Sequence, residues 1–295
     1  MELEQQTKRP LVETYAVPIL IVFIALGALL LQARPSEGNG TELSNADYEA
    51  IAETVVPLDG VEIPLAWGDL GKQLVESGSI DREKWLELYG SLSEEEKRLL
   101  DGNSPEKLRI TRENAGYLLN LLWAFGLANK NSILEEGEMS DPAYGGAGGF
   151  ASTGGWTLAK GSAMDHYSMH TFVTQTREQQ ELVEKVSKNI YRPCCDNPTH
   201  FPDCNHGMAM LGLLELMASQ GVGEEEMYEA ALAVNSYWFP DVYQTIATYM
   251  LQRDTLWKDV DPREVLGRDY SSASGYARVA SEVQSQGGQG SSCGV

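Results

Sequence analysis

The sequence predicts an all-α protein, in which a single N-terminal transmembrane helix is followed by a soluble helical bundle with a Gly-rich loop. Residues 14–33, TYAVPILIVFIALGALLLQA, contain no charged side chain. Helix-capping signatures recur ahead of stretches with helical apolar spacing. Alternating β-branched runs are scarce over the 295 residues.

Residues 1–13 form a short polar tail. The uncharged stretch 14–33 is long enough, as a helix, to span about 30 Å of hydrocarbon. Pro18 falls near its first turn, where a missing N–H does little harm. Lys8 and Arg9 precede the stretch, and only Arg34 follows before acidic residues. The positive excess places residues 1–13 in the cytoplasm and the main domain outside it, on a single-pass anchor in the cell membrane. A cleaved signal peptide is the competing reading. Its apolar core runs to only about 7–15 residues, however, and Leu31-Gln32-Ala33 puts a large side chain where cleavage wants a small one.

Residues 34–43, rich in Pro, Gly and acid, read as a tether. The helical domain is expected over residues 44–270. Ser44 can cap a helix to about Val55, and Asp81–Tyr89 reads as a second. Ser93 with Glu96 makes a capping box. Thr111 can cap a long helix to about Ala128, whose centre, YLLNLLWAFGLA, is apolar nearly all round and marks a central buried helix. Seven glycines between Gly145 and Gly161 predict a flexible connector between two helical halves; no phosphate-binding glycine pattern is present. A helix over Ala163–Val173 follows, then Thr176 with Gln179 as another capping box. A Pro/Cys loop leads into GMAMLGLLELMASQG, ended by Gly221. Glu224–Trp238 and Pro240–Arg253 complete the helices. Residues 271–295, rich in Ser, Gly and Gln, predict a flexible tail. There is no internal repeat.

The chain carries 43 acidic and 22 basic side chains, a net charge of -21. That balance excludes sequence-independent nucleic-acid binding, which needs Lys and Arg to displace counterions. It also opposes docking of a soluble face on anionic lipid. The expected partners are the membrane, through the anchor, and a metal ion; no protein partner can be read.

All four histidines lie between His166 and His206, and three of the four cysteines between Cys194 and Cys204. Thiolate and imidazole are the donors that borderline and soft ions prefer. Three prolines stiffen the Cys loop and lower the entropy lost when its ligands converge. Cys204 sits at a helix start, where free N–H groups and the helix dipole favour its thiolate. His206 opens an apolar helix and should point into the fold. On the expected helix over 163–173, His166 and His170 are one turn apart on one face. Met169, Met208 and Met210 lie close by in sequence. Together these residues predict one copper or zinc site built from Cys194 or Cys195, Cys204, His206 and one or both of His166 and His170, with His200 and Cys293 in reserve. Successive Cys194 and Cys195 side chains are expected to diverge.

An extracytoplasmic, metal-binding protein of the cell membrane is therefore the functional expectation, acting in sequestration, delivery or sensing. Thiol–disulfide exchange at the vicinal cysteines is one alternative, and a disulfide-stapled helical adaptor, pairing Cys204 with Cys194 or Cys195, is another. Cys204, His170 and Asp165 could be drawn into a hydrolase, but no nucleophile motif supports that, and the sequence identifies no reaction.

Overall fold

The structure, a computed structural model, describes residues 43–287. The expected tail 1–13, anchor 14–33, almost all of the tether and Cys293 lie outside the described residues. Among the described residues, no helix is long and apolar enough to cross a membrane.

Helices dominate, as the capping signatures predict. α1 (Asn45–Val55) is capped by Ser44, whose hydroxyl accepts from Asp47 N–H. One strand, β1 (Val61–Gly68), follows. Then come α2 (Leu70–Ser77), α3 (Arg82–Tyr89), capped by Asp81, and α4 (Glu94–Asp101), capped by the Ser93/Glu96 box. A second strand, β2 (Ser104–Ile110), leads into α5 (Ala115–Ala128). Thr111 does not cap α5 directly. It exchanges hydrogen bonds with Asn114, the actual N-cap residue.

The all-α expectation therefore needs one amendment. β1 and β2 pair antiparallel, with Val61 opposite Ile110 and Gly68 opposite Ser104. Ile63, Leu65 and Trp67 face inward at period two and are almost wholly buried. Pro64 lies between them and lacks a donor, which disguises the strand in sequence. Gln220 closes its open edge, its side-chain amide bonding both Ala66 N–H and Ala66 C=O at 2.8 Å.

Beyond α5 lie α6 (Ser132–Glu136), several 3₁₀ turns, α7 (Ala151–Gly154) and α8 (Arg177–Ser187). α8 is capped by the Thr176/Gln179 box. Past Phe150 the Gly-rich segment is packed rather than a flexible connector, while residues 141–145 are exposed. Ser152, Thr153 and Trp156 are buried, and the Trp156 indole donates to Ser79 C=O at 2.9 Å. Its glycines permit tight turns against the core, and its few large side chains supply the anchorage.

The centre of the fold is α5 against α9 (Asn205–Ser219). Their backbones touch at glycines. A Cβ on Gly126 would stand 2.3 Å from Met208 O, and one on Gly212 would stand 2.6 Å from Leu122 O. The close approach lets Leu118, Leu121, Leu122 and Phe125 pack with Leu211, Leu213 and Leu214 in one dry core. α9 ends at Gly221, in the left-handed conformation at φ 81°. α10 (Glu224–Trp238) and α11 (Pro240–Leu251) lie where the pattern placed them.

Two short helices, α12 (Pro262–Val265) and α13 (Arg268–Ser271), precede α14 (Ala273–Gly287). The expected flexible tail is thus helical through Gly287. Asp196 caps α14 by accepting from both the N–H and the hydroxyl of Ser274, and Val279 is buried. These anchors come from distant parts of the chain and are invisible in local composition.

Candidate metal centre

The loop between α8 and α9 folds around a buried arginine. Arg192 is 1% exposed. Its guanidinium donates to Asn197 C=O at 2.8 Å, Phe201 C=O at 3.1 Å, the Asp203 carboxylate at 2.5 Å and Cys204 Sγ at 3.1 Å. A single planar donor fork thus ties both ends of the loop together. Gly207 makes room for it, since a Cβ there would lie 2.5 Å from Arg192 Cζ.

Around this frame, the three sulfurs of Cys194, Cys195 and Cys204 all lie within 4.8 Å of one another. Cys194 Sγ is 3.4 Å from Cys204 Sγ, and all three cysteines are free thiols. Cys194 is exposed, while Cys195 and Cys204 are partly buried. The expected divergence of Cys194 and Cys195 does not occur. A turn closed by Cys195 N–H to Arg192 C=O brings both side chains to the Cys204 side. Cys204 is the N-cap residue of α9, and its sulfur accepts from Gly207 N–H at 3.4 Å.

The electrostatics single out Cys204 as the thiolate. Hydrogen bonds from the Cys194 and Cys195 thiols hold its pKa well below the ordinary thiol value, with help from His206 and Arg192, against the opposing effect of burial. Cys194 is correspondingly driven up by its hydrogen bonds to Cys195 and Cys204. Cys195 is pushed up to about 11: its bond from Cys194 lowers it, but donation to Cys204 and burial outweigh that. Its thiol also lies 3.6 Å from Asp203 Oδ1.

The six candidate ligands divide between different places. Among the described residues, only the three cysteines bring three ligand atoms within 4.8 Å. His206 neighbours Cys204, but its ring packs on Phe239 and Trp238, and its Nδ1 is buried without a partner. His166 and His170 form a separate pair, so the expected single pocket is not assembled.

That pair does not ride on a helix. Ala163–Asp165 forms a 3₁₀ segment, residues 166–168 make one further turn, and Ser168 adopts a left-handed φ of 54°. The Ser168 and His170 N–H groups bond to Leu127 and Ala128 C=O at the end of α5, instead of to their own preceding turn. The two rings still meet, with His166 Nδ1 3.0 Å from His170 Nε2. His166 Nε2 faces the Lys160 carbonyl at 2.9 Å and must donate to it, so Nδ1 accepts from His170. Burial first, and then the neighbouring His166, lowers the His170 pKa. His200 stands apart, its pKa lowered by burial and Lys188.

The sequence reading missed Arg192 and Asp203, although both flank the cysteines, and it missed Glu215 inside the apolar run of α9. Glu215 is completely buried, and its carboxylate accepts from the Asn129 side-chain amide at 2.7 Å. Burial pushes its pKa up to about 8.

Comparison with known protein families, with curated proteins and with solved structures finds no match to this chain.

Proposed function

We propose that this chain is a membrane-anchored, extracytoplasmic protein that binds a thiophilic metal ion through Cys194, Cys195 and Cys204, for sequestration, delivery or sensing. The observation that carries the reading is the convergence of three sulfurs within 4.8 Å, one of them exposed. Copper(I) is the first choice among transition metals, because an all-sulfur donor set favours the softer ion; zinc is the second. Arg192 and the N–H groups at the start of α9 keep Cys204 ready as the first ligand. Cys194 and Cys195 release protons as the ion enters. His166 and His170 belong to a separate place in the fold and are not part of this donor set.

Elemental analysis of the full chain purified without chelators tests the metal reading. One ion per chain, lost in Cys204→Ser and kept in His166→Ala, is the expected result. Substoichiometric metal, unchanged by Cys204→Ser, overturns it. The anchor is tested separately by immunoblotting a C-terminally tagged chain. A mature product shorter by about 33 residues means a cleaved signal instead.

A second reading, thiol–disulfide exchange, is favoured by the 3.4 Å approach of Cys194 Sγ to Cys204 Sγ. It requires a reduction potential above roughly -300 mV; a bridge resistant to glutathione excludes it.

A further inference from the structure

We infer that the three-sulfur site captures a trivalent thiophilic metalloid, with arsenite as the representative ligand. The inference rests on the metal-binding reading above and names a ligand class for the same cysteines.

Coordination number is the first argument. Among the described residues, no fourth His, Cys, Asp or Glu donor lies within 4.8 Å of all three sulfurs; Asp203 Oδ1 approaches Cys195 alone and His206 approaches Cys204. Closed structural zinc sites take four protein ligands. Trivalent arsenic takes three sulfurs and keeps a lone pair in the fourth direction, so it needs nothing further from the protein.

Spacing is the second. At a metal–sulfur distance of about 2.3 Å, tetrahedral geometry sets ligating sulfurs about 3.8 Å apart and planar three-coordination about 4.0 Å. Cys194 Sγ and Cys204 Sγ stand at 3.4 Å, and both lie within 4.8 Å of Cys195 Sγ. A pyramidal centre, with its narrower S–As–S angles, draws sulfurs together in that direction.

Charge is the third. The Arg192 cation is already matched by Asp203 at 2.5 Å. Three thiolates added beside that pair are neutralised only by a trivalent centre. Zinc leaves one net negative charge in the partly buried site and copper(I) leaves two, each carrying a desolvation penalty.

The exposed Cys194 offers the entry point, and the turn at Cys195 presents the vicinal thiol beside it. The step balances without an oxidant or a reductant. Arsenous acid exchanges three As–O bonds for three As–S bonds, and its hydroxyls leave as three waters. Each water takes its proton from a thiol, or from solvent where Cys204 begins as the thiolate. Arsenic remains trivalent throughout.

The test uses the reduced full-length chain and sodium arsenite, with copper(I) and Zn²⁺ titrated in parallel on the same preparation. Arsenic X-ray absorption should give three sulfur neighbours, and Cys194, Cys195 and Cys204 should all resist alkylation. Cys194→Ser, at an exposed position whose folding is checked by circular dichroism, should weaken retention about a hundredfold through loss of one intramolecular arm. If copper(I) or Zn²⁺ is held by the three sulfurs while arsenite leaves any of those thiols open to alkylation, the metalloid inference falls and the metal reading stands. If none of the three ligands protects the cysteines, both fall.

Discussion

Replacing Glu215 by Gln should remove a large pH dependence from the stability of the fold. The side chain sits in the middle of α9, fully buried, with Asn129 Nδ2–H donating to it. Burial raises its pKa from an ordinary 4.5 to about 8. Below the lower value the group is neutral in both the folded and the unfolded chain, and its contribution is fully present. Between the two values the unfolded chain ionises while the folded chain holds its proton, so stability falls as pH rises. Above the upper value both states are ionised and the decline stops. At about 1.4 kcal/mol per pH decade, the difference comes to about 5 kcal/mol. Glu215→Gln keeps the shape and an acceptor for Asn129 but has no proton to lose. Urea unfolding of both proteins across this range is the assay. The wild-type chain should lose ground to the variant steadily as pH rises, by up to about 5 kcal/mol. A stability difference that stays constant with pH refutes the buried, proton-holding Glu215.

Other substitutions test the frame and the site. Gly126→Val drives a side chain into the Met208 carbonyl and should lower the urea midpoint by the equivalent of about 3 kcal/mol. Gly207→Ala should push the Arg192 guanidinium off Cys204, costing about 2 kcal/mol in thermal unfolding and raising the pH at which thiolate ultraviolet absorbance appears. His170→Ala strands His166 Nδ1 in a buried place and should cost about 1–2 kcal/mol by urea unfolding, while metal bound at the cysteines is unchanged.

Most helices were legible in the sequence because their signals are local. Ser44, Asp81, Ser93 and Thr176 each cap the helix they were expected to start. The bounds of α10 agree to the residue, and Gly221 stops α9 as expected. What escaped depends on distant partners. β1 and β2 stabilise each other across three intervening helices, and Pro64 masks the alternation of Ile63, Leu65 and Trp67. The helix expected over 163–173 gives way because the end of α5 offers carbonyl partners that local propensity cannot count. The same segment, freed from helical geometry, still brings His166 and His170 together, but away from the cysteines. In the Cys loop, the clustering of sulfur was visible and its organiser was not. Arg192 reads as an ordinary charged residue until its four hydrogen bonds are seen closing the loop.

The central claim is that Cys194, Cys195 and Cys204 together hold one thiophilic ion, and X-ray absorption at the edge of the bound element tests it most directly. For the full chain purified without chelators, the expected spectrum has three sulfur neighbours at about 2.3 Å and no imidazole shell. Fewer than three sulfur neighbours, an imidazole shell, or a chain that carries no ion and leaves all three thiols open to alkylation, contradicts it.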